Sequence, residues 1–449
     1  MSTRYTRRHF LAQSAAAAGA AAALWPAPYV LGQAAPASKL RVAVVGGGGM
    51  GGYSVGEARK EQFVALADVA ENTIANIMKE IENGKGAKPK VFFDYRKMLD
   101  ECHKDLDAVL IGTPDHHHAP AAIRAINLGK ACFAQKPLAH NIYECYALAK
   151  AAKEHKVLTQ MGNQGHCSEA IRRSCEYVWA GAVGKVTESH SILDRNFGGK
   201  DGRPASKPAP TWLHWDEWIG PAPFREYHDG LHPFSWRDYR DFGTGTVGDM
   251  SCHRLDAPFW ALRLGEAKTF TVECLKQTGG SAEKYTQDNV VRWEFAARGD
   301  MPPVKVYAYD HTGLMSDLMK DTAKKYNRTF GDQTLFVGEK GLMFGGAFSA
   351  PRILPEEKHK EFPIPEKTLP RAHGGPIEDL FYCMRNGGSP CSNFVDSAGP
   401  FTAFVLSGLL AQRAGVGKKL EWDVEKMQCT NMPELNQYVR REYRKGWEV

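Results

Sequence analysis

Asp249 and His253 stand four residues apart, a spacing that puts both side chains on one face of a helix or helix-like turn. Lys136 lies far upstream, at the end of the apolar run 131–134 and directly before Pro137. An amine, a carboxylate and an imidazole are what oxidation of a secondary alcohol uses. One group takes the hydroxyl proton while hydride leaves carbon, and the same group acts as the acid in reverse. Each feature also has a plainer reading: an Asp–His pair on a helix surface, and a lysine that merely ends a strand. What lifts the three above that reading is the segment ahead of them.

Directly after the β-branched run 41–45 come seven residues of which six are glycine, Gly46-Gly47-Gly48-Gly49-Met50-Gly51-Gly52. Gly46, Gly48 and Gly51 occupy the G-x-G-x-x-G positions, with Gly49 and Met50 between them. A phosphate held by backbone N–H groups at a helix start needs this absence of side chains. Asp68 follows Gly51 by 17 residues, at the end of the next apolar run. A carboxylate there accepts ribose hydroxyls and repels a 2′-phosphate, which favours NAD over NADP; a helix cap is its structural alternative. His116, His117 and His118 do not read as a metal site, because three consecutive side chains cannot converge on one ion from a regular element.

The elements that must position these residues follow from hydrophobic patterning. Runs at 41–45, 63–69, 91–93, 106–113, 131–134 and 157–161 alternate with helical lengths, which predicts a parallel sheet covered on both faces. The stretch 141–156 shows the helical period well, with Ile142, Cys145, Leu148, Ala149 and Ala152 on one face and Lys150, Lys153 and Glu154 on the other. Beyond residue 163 the chain becomes rich in tryptophan and loops, then alternates in strands at 269–276, 290–297 and 304–309. The fold class is therefore α/β: a doubly wound parallel sheet over 38–163, then an α+β domain with a mainly antiparallel open sheet over 164–449. Asn163 and His166 fall at the junction, where they read either as ligand contacts or as a turn and helix start. Trp212, Trp215, Trp218 and Trp236 read as packing before sugar stacking.

Residues 1–37 read as a cleavable twin-arginine signal: Arg7-Arg8 ahead of an alanine-rich run, with Ala35-Pro36-Ala37 as the cleavage site. The expectation is a periplasmic protein, exported folded, with no stable membrane anchor once the signal is removed. An exported nucleotide enzyme must hold its nucleotide tightly. The net charge of +6 includes three arginines of that segment, which holds no acid, and this is too little for a nucleic-acid partner. Ten cysteines without C-x-x-C or regular spacing indicate mostly buried free thiols.

Several ordered motifs give the chain from 39 to 449 a resemblance to the glucose-fructose oxidoreductase, inositol dehydrogenase and rhizopine-catabolism (Gfo/Idh/MocA) family. Thr113-Pro114-Asp115-His116-His117-His118 is similar to its T-P-N-x-x-H, and Gly129-Lys130 followed by Gln135-Lys136-Pro137-Leu138 to its G-K-H-V-x-x-E-K-P-L. Trp215 to Ala222, Trp236-Arg237, and Gly243-Thr244-Gly245 leading to Asp249, His253 and Asp256 extend the match. The resemblance implies that Lys136, Asp249 and His253 face one another across a cleft as the catalytic group. It implies cofactor contacts from Thr113, Pro114, His118, Gln135 and Lys136 besides the glycine loop and Asp68, and substrate contacts from Asn163, His166, Arg237, Asp249 and His253. The expected activity is NAD-dependent oxidoreduction of a sugar, glycoside or polyol by a homo-oligomer, dimer or tetramer. Alternatives are an NAD-recycling glycosidase or lyase, and a catalytically idle sugar-binding protein. One departure stands out: Gln135 replaces the family's Glu, which keeps hydrogen bonding at that position but removes a charge.

Overall fold

The computed structural model describes residues 38–199, 203–331 and 333–449, so the proposed export signal lies outside the described residues. The run RVAVV forms β1 (Arg41–Val45), with Val42 and Val44 packed into one hydrophobic layer and Ala43 and Val45 into the other. β2 (Gln62–Ala67), β3 (Lys90–Phe92), β4 (Ala108–Ile111), β5 (Ala131–Gln135) and β6 (Thr159–Gly162) join it in a parallel sheet of order β3-β2-β1-β4-β5-β6. Chain direction across the sheet reverses between β1 and β4, and that reversal opens the crevice where doubly wound sheets bind ligands. The helix Ile142–His155 starts where the Asn141 side chain accepts the Glu144 N–H and stops at Lys156, which adopts a left-handed φ of 54°.

A nine-stranded sheet follows, of order β13-β12-β11-β7-β10-β9-β8-β14-β15. Its strands are β7 (Val186–Ile192), β8 (Thr269–Thr278), β9 (Gln287–Phe295), β10 (Val304–Tyr309), β11 (Thr334–Gly338), β12 (Gly341–Gly345), β13 (Arg352–Leu354), β14 (Lys419–Asp423) and β15 (Gln428–Cys429). Neighbours run antiparallel except β7 and β10, which are parallel. The helix Gly399–Ala414 lies beneath this sheet. Trp293 of β9 packs on Gly408, where an added Cβ would come within 2.8 Å of the indole, and donates to Ser407 Oγ at 2.9 Å. With the π-helical turn Phe394–Ala398 ahead of it, this is the one helix among the described residues long and apolar enough to cross a membrane, and 78% of its apolar stretch is buried in the protein core.

Two segments carry the second domain back over the first. Residues 203–244 leave β7 and dock on the loop after β2: Glu71 N–H donates to Trp212 O and His214 N–H to Val69 O, both at 2.9 Å, and the His214 ring stacks on Phe93 at 3.8 Å. Trp215 and Trp218 stack on each other at 4.7 Å within a cluster that includes Trp236, Tyr239 and Phe242, so the tryptophans chiefly pack. The C-terminal tail does the rest. Arg444 pairs with Asp216 at 2.6 Å, Arg441 with the buried Glu144 at 3.1 Å, and the Arg96 guanidinium lies 3.6 Å over the Trp447 ring.

Candidate active site

A cleft of about 570 Å³ runs along the C-terminal edge of the parallel sheet. Its floor is the glycine loop. Gly46 has φ +78°, and a Cβ there would press on Thr113 N at 2.9 Å; a Cβ on Gly51 would stand 2.1 Å from Gly46 O. Both glycines are therefore required by close backbone approach. A Cβ on Gly48 or Gly49 would instead point into open space or ordinary contact, leaving room beside the start of the helix Gly51–Lys60, whose cap is the exposed Met50. This is the arrangement that receives a phosphate.

Asp68 follows β2 directly. Its Oδ2 accepts the Gly47 N–H at 2.7 Å and its Oδ1 the Ala70 N–H at 2.9 Å, so it fastens the glycine loop while lining the cleft. The cap position of the next helix is Ala70, not Asp68. Burial raises the Asp68 carboxyl above its ordinary value against these backbone bonds. Thr113 and Pro114 line the cleft at the end of β4, and Gln135 and Lys136 at the end of β5. Among the described residues, Thr113 Oγ1, Gln135 Nε2 and His117 Nδ1 are buried cleft-lining atoms with no hydrogen-bond partner. These unpaired groups, with the glycine floor and Asp68, fit a dinucleotide.

The roof comes from Trp218, the segment from His232 to Arg237, and Trp447. Sequence reasoning missed this tail tryptophan, since nothing local marks residue 447 as adjacent to Tyr95, 5.6 Å away. The three histidines also have a role that spacing does not reveal. His116 faces the carbonyls of Phe242 at 3.2 Å and Trp218 at 3.0 Å, and His117 reaches the same Trp218 carbonyl at 2.9 Å. They clasp the roof to the floor, and burial keeps them neutral by driving both well below the ordinary histidine value. His118, expected to touch the cofactor, faces the carbonyls of Pro137 at 2.7 Å and Thr113 at 2.9 Å and so supports the turn that presents Lys136.

Lys136 and Asp249 come together as expected from their motifs. Lys136 Nζ donates to Asp249 Oδ1 at 3.0 Å and to Asp249 O at 3.1 Å, joining β5 to the helix Gly245–Arg254. Arg237 Nε approaches the same Oδ1 at 3.5 Å, its guanidinium flanked by Trp236 and Phe234. Lys136 and Arg237 hold Asp249 below the ordinary carboxylate range although burial opposes them. His253, on the same helix face, bonds elsewhere: its Nδ1 lies 3.1 Å from Asn163 Oδ1. The Asn163 amide donates to Cys252 O at 2.7 Å and to Asp256 Oδ2 at 2.9 Å, which fixes its oxygen toward His253. His166 completes this wall. Its Nδ1 meets both Asp256 oxygens at 2.9 and 3.0 Å, its Nε2 faces Ser397, and its ring stacks on Trp260. The structure thus places His166 as a support behind Asn163.

Asp115 was missed as a functional residue; the available signal was that it stands where the resembling motif has Asn. It is 2% exposed, accepts the Thr244 hydroxyl at 2.8 Å and lines the cleft beside Lys136. Burial, and next the Asp249 charge, raise its carboxyl to about 7. The unfolded carboxyl ionises near 3.8, so between these values the native state holds a proton that the unfolded chain has lost. Stability from this group is present at the acid end and is lost as pH rises toward 7. Asp115→Asn is therefore expected to raise the melting temperature relative to the parent by a larger margin at neutral than at mildly acidic pH; a margin independent of pH would refute the raised value.

Two family models match the chain: "Oxidoreductase family, NAD-binding Rossmann fold" over residues 40–163 and "Oxidoreductase family, C-terminal alpha/beta domain" over 186–294, together just over half of it. Levoglucosan dehydrogenase from Pseudarthrobacter phenanthrenivorans is 28% identical over 225 residues, 48% of this chain and 50% of that protein. Glycosyl hydrolase family 109 protein 1 from a Shewanella species is 33% identical over 175 residues, 33% of this chain and 37% of that protein. The chain spans half or less of the length of these curated relatives. The solved aldose-aldose oxidoreductase from Caulobacter crescentus, complexed with glycerol, shares the fold with a TM-score of 0.56, covering 85% of this chain and 99% of that one at 17% identity.

Proposed function

Because the chain belongs to the Gfo/Idh/MocA oxidoreductase family, with a Rossmann domain that binds NAD, we propose that it transfers hydride between a tightly held NAD and a hydroxyl-bearing carbon of a sugar, glycoside or polyol. The observation that carries this reading is the hydrogen bond from Lys136, which lines the roofed cleft, to Asp249, one turn of helix before a His253 that is held by Asn163. NAD, when bound, supplies the acceptor and donor of hydride. The residues of the chain manage the proton and the position of the hydroxyl. Asn163 accepts from His253 Nδ1, which leaves the lone pair of Nε2 free to take a hydrogen bond or a proton from the hydroxyl. The Lys136 ammonium stabilises the oxygen as that proton leaves, and Asp249 orients the ammonium. Arg237 offers a planar donor to a second hydroxyl or a carboxylate of the substrate.

The roof supports retention of the nucleotide through repeated turnovers, with a second carbohydrate returning the hydride. Retention suits the proposed periplasmic location after twin-arginine export, where free NAD is not expected. Homo-oligomerisation is part of the same proposal. A second reading is favoured by the match to the glycosyl hydrolase family 109 relative: transient oxidation of a sugar hydroxyl, elimination of the neighbouring glycoside and return of the hydride, with no net redox change. Incubating the purified protein with nitrophenyl glycosides and no added NAD separates the two. Nitrophenol release without accumulated NADH supports the redox-neutral reaction, whereas NADH absorbance that a second sugar discharges, with the glycoside intact, supports oxidoreduction. Inertness of both kinds toward a broad carbohydrate panel would overturn the assignment.

A further inference from the structure

Eight of the ten cysteines are buried. The two that are not, Cys167 and Cys391, lie 224 residues apart in sequence, yet their sulfurs approach to 3.2 Å. Cys167 closes the turn Gln164–Cys167, next to His166 and four residues beyond Asn163. Cys391 belongs to the loop ahead of Phe394, and its N–H is pinned to Asp379 Oδ2 at 2.8 Å. The Gln160 amide donates to both sulfurs, at 3.6 Å to Cys167 and 3.5 Å to Cys391. The two cysteines of the described chain that are not buried are thus each other's neighbours, with an amide donor set against both sulfurs.

We propose that Cys167 and Cys391 are a thiol–disulfide exchange site that closes to a disulfide by reaction with a small-molecule disulfide, fastening the turn behind Asn163 to the segment leading into the core helix Gly399–Ala414. Cys391 is the attacking sulfur. The hydrogen bond from Cys167, and next the His166 charge, lower its thiol against the burial that opposes ionisation, while Cys167, which keeps the shared proton, is pushed up. The Cys391 thiolate attacks one sulfur of the donor disulfide; that S–S bond breaks, and one half leaves as a thiolate that takes a proton from solvent. Cys167 then releases its proton and displaces the second half, forming the Cys167–Cys391 bond. Two thiols are oxidised, and one donor disulfide is reduced to two thiols. Cross-linking residues this far apart restricts the unfolded chain, so the oxidised protein melts higher than the reduced one. None of this depends on the hydride-transfer reading.

The test uses the full chain, equilibrated natively with oxidised glutathione, blocked with N-ethylmaleimide on denaturation and digested without reductant for mass spectrometry. The expected result is a Cys167–Cys391 linked peptide from most molecules with the other eight cysteines alkylated, and a melting temperature that falls on addition of dithiothreitol. Cys391→Ser is expected to show no such link and no dependence of melting on reductant. Recovery of both residues as alkylated thiols from the oxidised parent would overturn the proposal, and so would a link formed at other cysteines.

Discussion

Lys136→Ala is expected to lower turnover about 10²- to 10⁴-fold while the purified protein keeps its nucleotide, the range usual for loss of an acid–base or charge-stabilising group at the reacting atom. The two readouts separate because different strands carry them. In the proposed site the nucleotide rests on the glycine loop after β1 and on Asp68 after β2, whereas Lys136 follows β5 and reaches across to Asp249 at 3.0 Å. Removing the ammonium leaves Arg237, at 3.5 Å, as the remaining cation paired with Asp249 among the described residues. Lys136→Arg restores the charge but not the compact donor, so it should recover little activity. Steady-state rates paired with mass spectrometry of nucleotide released on denaturation make the comparison. Unchanged turnover in Lys136→Ala with nucleotide in place would remove Lys136 from the mechanism.

How much of this site was legible in the sequence depends on how local each feature is. The glycine loop, Asp68 and the six parallel strands are each specified within a few consecutive residues, and the structure realises them within about two residues of the patterned runs. The helix Ile142–His155 is likewise written in its own period and in its Asn141 cap. In the second domain β8, β9 and β10 showed in the pattern, but the other strands did not: β13 and β15 hold only three and two residues, too few for a period, and β7 buries the polar Ser189, His190 and Ser191, which breaks its apolar alternation. Tertiary convergence was legible only through motif order, which brought Lys136 to Asp249. It did not show that His253 turns to Asn163, that His116 and His117 hold the carbonyl of Trp218, or that Trp447 returns to roof the cleft. Those contacts join residues about 90, 100 and 350 positions apart, and propensity is silent at such distances.

The Asn163 contact makes the second large prediction sharper than a bare loss of activity. His253→Ala is expected to cost about 10²-fold or more in turnover, again with nucleotide retained. Asn163 has no freedom to rotate its amide, because its Nδ2 already donates to Cys252 O and Asp256 Oδ2. Its oxygen therefore faces His253, whose Nδ1 must carry the proton, and Nε2 is the lone pair available to a substrate hydroxyl. Burial, and next the Lys136 charge, push His253 down to about 3. The neutral ring is thus the form present across the physiological range, and His253 adds no titration of its own near neutrality. Asn163→Ala should then lower turnover by releasing the tautomer and the ring orientation, with a pH–rate profile that stays parallel to the parent. In the parent, any limb near pH 7 should disappear in Asp115→Asn and persist in a slowed Asn163→Ala. A limb that instead disappears with Asn163→Ala would show that His253 titrates in the working range, and the fixed neutral imidazole would have to be abandoned.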